Sequence, residues 1–175
     1  MKEEPRKLIR GTLCILKKDE KYLMRWETKG FNKDFLIFPG GSYEKVQLVE
    51  RTELGAECAA RETLEETGIR PIDLKLRATI FFDNKRRIFP DKTEVANFDY
   101  QAFYFSTENY TGQFTERGPE GKQGWFRYEE ARKQPMFEGD RRILDMIARI
   151  PAKEVFEGVV VYNGTALESA TFLRI

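Results

Sequence analysis

Residues 61–69 read Arg-Glu-Thr-Leu-Glu-Glu-Thr-Gly-Ile and end a helix that the sequence predicts over residues 53–67. Within it, Glu62, Glu65 and Glu66 stand at i, i+3 and i+4, so their carboxylates share one helical face. Like charges at this spacing destabilise a bare helix by a few tenths of a kcal/mol per pair. Mg²⁺ would offset the repulsion, because it binds carboxylate oxygens and keeps water ligands for a phosphate-bearing substrate. A solvated acidic face without function fits the helix equally well, so the helix alone leaves both interpretations open.

The segment before this helix contains Phe38-Pro39-Gly40-Gly41, a short strand that runs into a glycine turn. A glycine backbone can approach a metal or a phosphate closely. Together the two segments resemble the signature of the Nudix hydrolases, Gly-x5-Glu-x7-Arg-Glu-U-x-Glu-Glu-x-Gly-U, where U is apolar. Gly41 would be the opening glycine and Glu53 the first glutamate, and residues 61–69 supply the rest in register.

The chain departs from this signature at two places. Eleven residues separate Gly41 from Glu53, where the pattern has five, so a six-residue insertion lies within residues 42–52. Thr63 stands where the pattern has an aliphatic residue. We expect the insertion to be a longer surface loop, which costs little free energy; the alternative is that it reshapes the mouth of the site.

The resemblance implies a function and a set of site residues. Nudix enzymes hydrolyse a nucleoside diphosphate linked to another group, with Mg²⁺ or Mn²⁺ as cofactor. The implied metal ligands are Glu62, Glu65, Glu66, a backbone carbonyl at Gly40 or Gly41, and Glu120, which precedes Trp125 by five residues as in the oxidised-purine triphosphatases. The implied catalytic groups are Arg61 and Glu53, which would orient the glutamates, and Glu65 or Glu120, either of which would accept the proton. Glu120 also fits a solvated loop acid.

The last forty residues resemble those of MutT-like and animal-type 8-oxo-dGTP diphosphatases, through residues 135–140, a following helix and a hairpin at Asn163-Gly164. The implied base-binding residues are Phe31, Phe137, Glu138 and Asp140. The two acids also suit the N-terminus of a helix, so capping is an alternative role. Ile37 stands where the animal enzyme has an asparagine that reads the purine, which leaves a preference for 8-oxoguanine open.

Composition excludes several classes of protein. The 175 residues include 30 Lys plus Arg and 29 Asp plus Glu, a net charge of +1, which argues against partners such as nucleic-acid polymers or membrane surfaces. The chain has no histidine, which excludes Ser-His and Cys-His catalysis and His-bound zinc. Cys14 and Cys58 lie in apolar or helical patterns and are expected to be reduced core residues. No apolar stretch approaches the ~20 residues of a membrane span, so we expect a cytoplasmic protein.

The pattern of elements predicts one Nudix-type domain over residues 1–175, an α/β/α sandwich with a mixed central sheet and a C-terminal helix plus β-hairpin. The second helix is predicted over residues 138–150 and the hairpin over 155–175. The other strands are predicted at 8–16, 22–26, 35–38, 74–82, 98–105 and 125–128. Residues 83–95 form a charged stretch, and we interpret Arg86 and Arg87 within it as solvated, although either could reach a phosphate.

The predicted activity is hydrolysis of a nucleoside triphosphate, such as 8-oxo-dGTP, to the monophosphate and pyrophosphate by a metal-activated water. Alternatives are a hydrolase of ADP-ribose, a nucleotide sugar or a dinucleoside polyphosphate, or a nucleotide-binding module without catalysis. The chain retains the signature Arg61, Glu62, Glu65 and Glu66, which favours an enzyme. The expected partner is a small nucleotide, and the expected assembly is a monomer or homodimer.

Overall fold

A computed structural model describes residues 6–28, 33–46, 51–88, 96 and 98–175. Its helices are α1 (Gly55–Thr67), α2 (Tyr128–Arg132) and α3 (Glu138–Arg149). Its strands are β1 (Lys7–Lys18), β2 (Lys21–Trp26), β3 (Leu36–Ile37), β4 (Gly40–Ser42), β5 (Lys45–Val46), β6 (Arg51–Thr52), β7 (Ile69–Ile72), β8 (Lys75–Arg87), β9 (Phe98–Thr107), β10 (Asn109–Gly112), β11 (Arg117–Gly118), β12 (Gly121–Arg127), β13 (Phe156–Gly164) and β14 (Ala166–Arg174).

The large sheet has the strand order β11–β12–β2–β1–β9–β8–β13–β14, with β3 paired to β2 and β4 paired to β1. The β1–β9 and β8–β13 pairs are parallel, and the other pairs of this sheet are antiparallel. The sheet is therefore mixed, as the sequence predicts. The terminal hairpin is also confirmed, since β13 and β14 pair around Asn163 and Gly164.

Helices cover both faces of this sheet. Successive side chains of a strand point to opposite faces, and on β1 Cys14 and Leu16 pack in a cluster with Ala59 of α1. Ile15, between them, packs in the main core with Ile143 of α3. These contacts confirm the predicted sandwich with α1 on one side and α3 on the other. Both cysteines are buried and free, as predicted.

Helix α1 ends where the glycine of the signature stands. Gly68 adopts a left-handed conformation with φ of 76°, and its N–H donates to the Leu64 carbonyl, the usual C-terminal glycine arrangement. Thr63 replaces the aliphatic residue of the signature without leaving a polar atom unpaired, because its hydroxyl donates to the Ala59 carbonyl at 2.7 Å. The helix therefore keeps its register across this departure.

Two segments differ from the prediction. The charged stretch 83–95 was expected to separate two strands, but β8 extends into it as far as Arg87 because the end of β8 pairs in parallel with β13, with Arg87 opposite Gly164. Residues 89–95 of this stretch lie outside the described residues. The insertion between Ser42 and Thr52 contains a short antiparallel ladder of β5 and β6, and residues 47–50 lie outside the described residues. Within the part of the chain that the structure describes, no helix has the length and apolar character of a membrane span.

Candidate active site

The glycine turn and the acidic helix meet at two contacts. Strand β4 pairs with β1 and passes over α1, which brings Gly40 and Gly41 to the helix. The Gly40 N–H donates to Glu66 Oε2 at 2.9 Å. A Cβ atom added at Gly41 would overlap the carboxyl group of Glu62, so that carboxylate lies directly against the turn. Two of the predicted metal-binding glutamates therefore lie at the turn.

Glu66 is paired with Arg25, an arginine that lies outside the signature motif. Nη2 of Arg25, on β2, lies 2.5 Å from Glu66 Oε1, and the two side chains are 4% and 5% exposed. The same nitrogen lies 3.2 Å from Glu27 and 3.5 Å from Glu120. Burial raises the pKa of Glu66 to about 7, against the opposing effect of Arg25. Arg25 thus brings Glu120, from the turn before β12, into the same cluster as the helix.

Arg61 connects the remaining carboxylates of the signature. Its Nε and Nη2 donate to the two oxygens of Glu53 at 2.9 and 3.1 Å, a bidentate pair. Nη2 also lies 2.9 Å from Glu62, and Nη1 lies 3.1 Å from Glu65. Burial raises the pKa of Glu53, but hydrogen bonds from Arg61 and the Glu44 N–H outweigh it and lower the pKa overall. This geometry suits the predicted orienting role of Arg61 and Glu53.

The donor atoms around the turn fit a hard divalent cation. Carboxylate and carbonyl oxygens are the ligands that Mg²⁺ prefers, and Glu62, Glu66 and the Gly41 backbone supply them. Glu65 pairs with Arg61 Nη1 at 3.1 Å, and its side chain is 58% exposed. Among the described residues no three acidic or thiol groups already converge as a metal cage. Arg61 and Arg25 neutralise these carboxylates in the structure, and a cation would take over that role.

A cavity of about 200 Å³ opens beside this cluster. Arg25, Glu27 and Gly40 line its near end, so the cavity begins where the carboxylate cluster ends. Its walls are mainly apolar and aromatic, as is usual for a site that binds a flat organic group. The apolar wall residues include Leu13, Met24, Leu36, Phe38, Phe82, Phe98, Tyr104 and Met136.

A buried positive charge, Arg87, also lines the cavity. The guanidinium carbon of Arg87 lies 3.7 Å from the ring centroid of Tyr162 and 4.3 Å from that of Phe137. Its Nη1 donates to Asn84 Oδ1 at 3.2 Å. Arg87 is therefore a cavity residue, and its interpretation as solvated is wrong. A bulge between β8 and β13 near residues 83–86 explains why strand alternation does not reveal its inward direction.

The predicted base-binding residues separate into three cases. Phe137 and Asp140 line the cavity, and the Phe137 ring meets Phe35 edge to face at 4.5 Å. Glu138 pairs instead with Arg141 and Arg142 on the helix surface. Phe31 lies outside the described residues.

Asp140 combines the two roles that the sequence leaves open. It lies in the first turn of α3, where a carboxylate is favoured by the helix dipole, and it also faces the cavity. Burial raises the pKa of Asp140 to about 6, and the charge of Arg87 opposes that rise.

Comparison with known proteins agrees with this geometry. The NUDIX domain family model matches residues 7–147. An uncharacterized Nudix hydrolase, YvcI of Bacillus subtilis strain 168, is 30% identical over 142 residues, covering 81% of this chain and 80% of the relative. The mutator MutT protein of Bacillus halodurans has a similar fold, with a TM-score of 0.73 at 24% identity over 94% of this chain and 97% of that one. The MutT NUDIX hydrolase of Burkholderia pseudomallei gives a TM-score of 0.63 at 18% identity, over 81% and 98% of the two chains. The chain therefore belongs to the Nudix family, whose hydrolases cleave pyrophosphate bonds.

Proposed function

We propose that this chain hydrolyses a purine nucleoside triphosphate to the nucleoside monophosphate and pyrophosphate, with Mg²⁺ or Mn²⁺ as cofactor. One observation carries the proposal: Arg25 and Gly40 line the cavity and also contact the Glu66 carboxylate. A base held between the cavity walls would thus extend its phosphate chain over the acidic helix. A flat heterocycle suits aromatic walls, and a charged triphosphate suits the open, polar end.

Arg25 supports a phosphate at this junction. Its Nε and Nη1 atoms are buried and have no hydrogen-bond partner among the described residues. A buried donor left unpaired costs about 1–3 kcal/mol. A phosphate oxygen entering from the cavity would satisfy these donors, and charge-assisted bonds of this type are among the strongest in proteins. The substrate therefore supplies what the free protein lacks at Arg25.

Each residue of the cluster has a role in this proposal. Glu62, Glu66 and the Gly41 carbonyl would hold the cation, with Arg61 and Glu53 fixing the carboxylates. A bound Mg²⁺ would neutralise the phosphate oxygens and lower the pKa of a bound water. In the reaction, the oxygen of water would bond to the α-phosphorus, the bond from that phosphorus to the α–β bridging oxygen would break, and pyrophosphate would depart.

The proton of the attacking water needs an acceptor. We assign it to Glu120 rather than Glu65, because Glu120 and Glu66 both lie near Arg25 Nη2, whereas the only ion pair of Glu65 among the described residues is with Arg61.

A panel of nucleotides tests the proposal. The purified chain is incubated with Mg²⁺ and purine and pyrimidine nucleoside triphosphates, ADP-ribose, a nucleotide sugar and a dinucleoside polyphosphate. We expect monophosphate and pyrophosphate in equal amounts, fastest from a purine triphosphate, with loss of turnover in EDTA. Glu66→Gln should lower turnover by roughly 100-fold or more with an unchanged circular dichroism spectrum. Glu129→Gln, at an exposed acid of α2, is the matched control and should leave turnover unchanged.

Three results would contradict the proposal. Faster turnover of ADP-ribose or a nucleotide sugar would reassign the substrate. Nucleotide binding without any turnover would indicate a binding module. Wild-type turnover by the Glu66→Gln variant would refute the role of that glutamate.

A further inference from the structure

The insertion in the signature has a stem that contacts the first signature glutamate. The insertion stem consists of residues 43–46 and 51–52, which include the ladder of β5 and β6. This ladder continues by one step, because the Glu53 N–H donates to the Glu44 carbonyl at 3.0 Å. In a regular hydrogen-bonded antiparallel pair, the second N–H would donate to a backbone carbonyl in return. The Glu44 N–H donates instead to Oε2 of the Glu53 side chain, at 3.3 Å. The ladder therefore ends on the Glu53 carboxylate.

This contact reaches the residues that orient the candidate site. Glu53 accepts two hydrogen bonds from the guanidinium of Arg61, and the Glu44 N–H adds a donor from another part of the chain. A carboxylate bound to one arginine alone moves with that arginine, whereas a backbone donor fixes both of them. Arg61 Nη2 in turn lies 2.9 Å from Glu62, the carboxylate that lies against the glycine turn. Glu53 and Arg61 thus connect the insertion stem to a proposed ligand of the cation.

Tyr43 attaches the insertion stem to the rest of the domain. Its ring meets Phe103 of β9 edge to face, with 6.3 Å between the ring centroids, an arrangement that aromatic pairs prefer. Its hydroxyl lies 3.1 Å from the position that a Cβ at Gly55, the first residue of α1, would take. The side chain of Glu44 contributes little, since it is 68% exposed and lies 3.7 Å from Arg61 Nη1. The backbone of Glu44, next to this anchor, is therefore the part that positions Glu53.

We propose that the insertion stem supports the metal-binding carboxylates, with Glu44 as a positioning residue that acts through Glu53. The inference rests on the cation site of the proposed function. Metal ligands depend on hydrogen-bonded partners that fix their orientation, and loss of such a partner lowers metal affinity by roughly 10- to 100-fold. The insertion is then a support of the cation site rather than an addition to the surface.

A proline at position 44 tests this, because proline has no backbone N–H. The measurement is the Mn²⁺ affinity from electron paramagnetic resonance in the absence of nucleotide, together with the circular dichroism spectrum. Glu44→Pro should weaken Mn²⁺ binding by about tenfold, whereas Glu44→Ala keeps the N–H and should stay within about threefold of wild type. Ala152→Pro is the control and should not change the affinity. It lies in an exposed turn in which the Glu154 N–H donates to the Pro151 carbonyl, at a turn position that favours proline.

A double mutant separates action through Glu53 from a general disturbance of the stem. Glu53→Ala should weaken Mn²⁺ binding by itself, and adding Glu44→Pro to it should weaken binding no further. Tyr43→Ala removes the ring anchor without a proline and should weaken binding by about threefold or more. Tyr43→Phe keeps the ring and should retain the wild-type affinity.

Several results would overturn the inference. They are wild-type affinity in a folded Glu44→Pro chain, and additive losses in the double variant. If Glu44→Pro does not fold, the Tyr43 variants decide, and wild-type affinity in Tyr43→Ala or weakened binding in Tyr43→Phe overturns the inference. A wild-type chain that binds no Mn²⁺ would overturn it as well. A wild-type chain that binds Mn²⁺ but hydrolyses no nucleotide refutes the proposed hydrolysis alone, and the affinities still test the stem.

Discussion

Removing the Glu66 side chain should destabilise the fold as well as the site. In Glu66→Ala, the guanidinium of Arg25 stays buried without its 2.5 Å partner, and the Gly40 N–H loses its acceptor. Breaking a buried ion pair from one side costs about 3–5 kcal/mol. Glu27 and Glu120, at 3.2 and 3.5 Å from Arg25 Nη2, still offset part of the charge. We therefore expect the lower end, about 3 kcal/mol of unfolding free energy.

A urea titration monitored by circular dichroism measures this loss of unfolding free energy. The buffer contains EDTA at about pH 8, where Glu66 is ionised. The double variant Arg25→Met/Glu66→Ala removes both charges and should recover most of the stability, since an apolar replacement of a buried pair is often neutral. Glu129→Ala, at an exposed acid, is the control and should change the unfolding free energy by less than about 0.5 kcal/mol. A loss below about 1 kcal/mol in Glu66→Ala, or a double variant no more stable than the single one, would refute the account of this pair.

Three further changes probe the turn, the helix end and the cavity. Gly41→Ala should displace the Glu62 carboxylate that its Cβ would overlap and weaken Mn²⁺ binding, measured by electron paramagnetic resonance, by about tenfold or more; unchanged affinity would contradict the contact. Gly68→Ala should lower the unfolding free energy by at least about 1 kcal/mol, because φ is 76° and the new Cβ would lie 2.6 Å from the Gln113 carbonyl oxygen; an unchanged urea midpoint would speak against this. Because burial raises the pKa of Asp140 from 3.8 to about 6, the folded state binds this proton more tightly than the unfolded chain. The protonated Asp140 side chain therefore makes its full contribution to the free energy of unfolding below about pH 4. That contribution falls by at most about 3 kcal/mol as the pH rises through about 6. Asp140→Asn should flatten that part of the stability profile in urea titrations, and an unaltered slope would rule the assignment out.

Periodicity predicted the layers of the fold, because long elements bury a regular face. The end of α1 at Gly68 and the hairpin at Asn163-Gly164 followed from local backbone chemistry, and both are confirmed. The extension of β8 to Arg87 was not predicted, because it depends on pairing with β13, where Arg87 lies opposite Gly164, 77 residues later in the chain. Short elements such as β7 and α2 carry too few residues for a periodic signal.

The candidate site divides in the same way. Glu62 and Glu66 both reach the glycine turn, as their spacing on α1 predicts, whereas Glu65 is exposed and pairs with Arg61. Arg25 and Arg87 come from separate strands and reach the site only through tertiary packing. An arginine in a strand can face solvent or a cavity, and the sequence does not tell which. Glu138 and Asp140 are two residues apart, but Asp140 lines the cavity while Glu138 pairs with Arg141 and Arg142 on the helix surface. This difference depends on how α3 packs against the sheet, which the sequence does not show.

The junction at Arg25 and Gly40 has an evolutionary consequence. In the proposed function, the residues that would contact the phosphates come from the N-terminal half of the chain, on β2, β4 and α1, whereas Arg87, Asp140 and Tyr162 come from β8, α3 and the closing hairpin. Mutations in the second group can accumulate without disturbing the machinery of bond cleavage. Under the proposed function, a lineage built on this scaffold would change its nucleobase preference through the second group and keep the cleavage of the pyrophosphate bond.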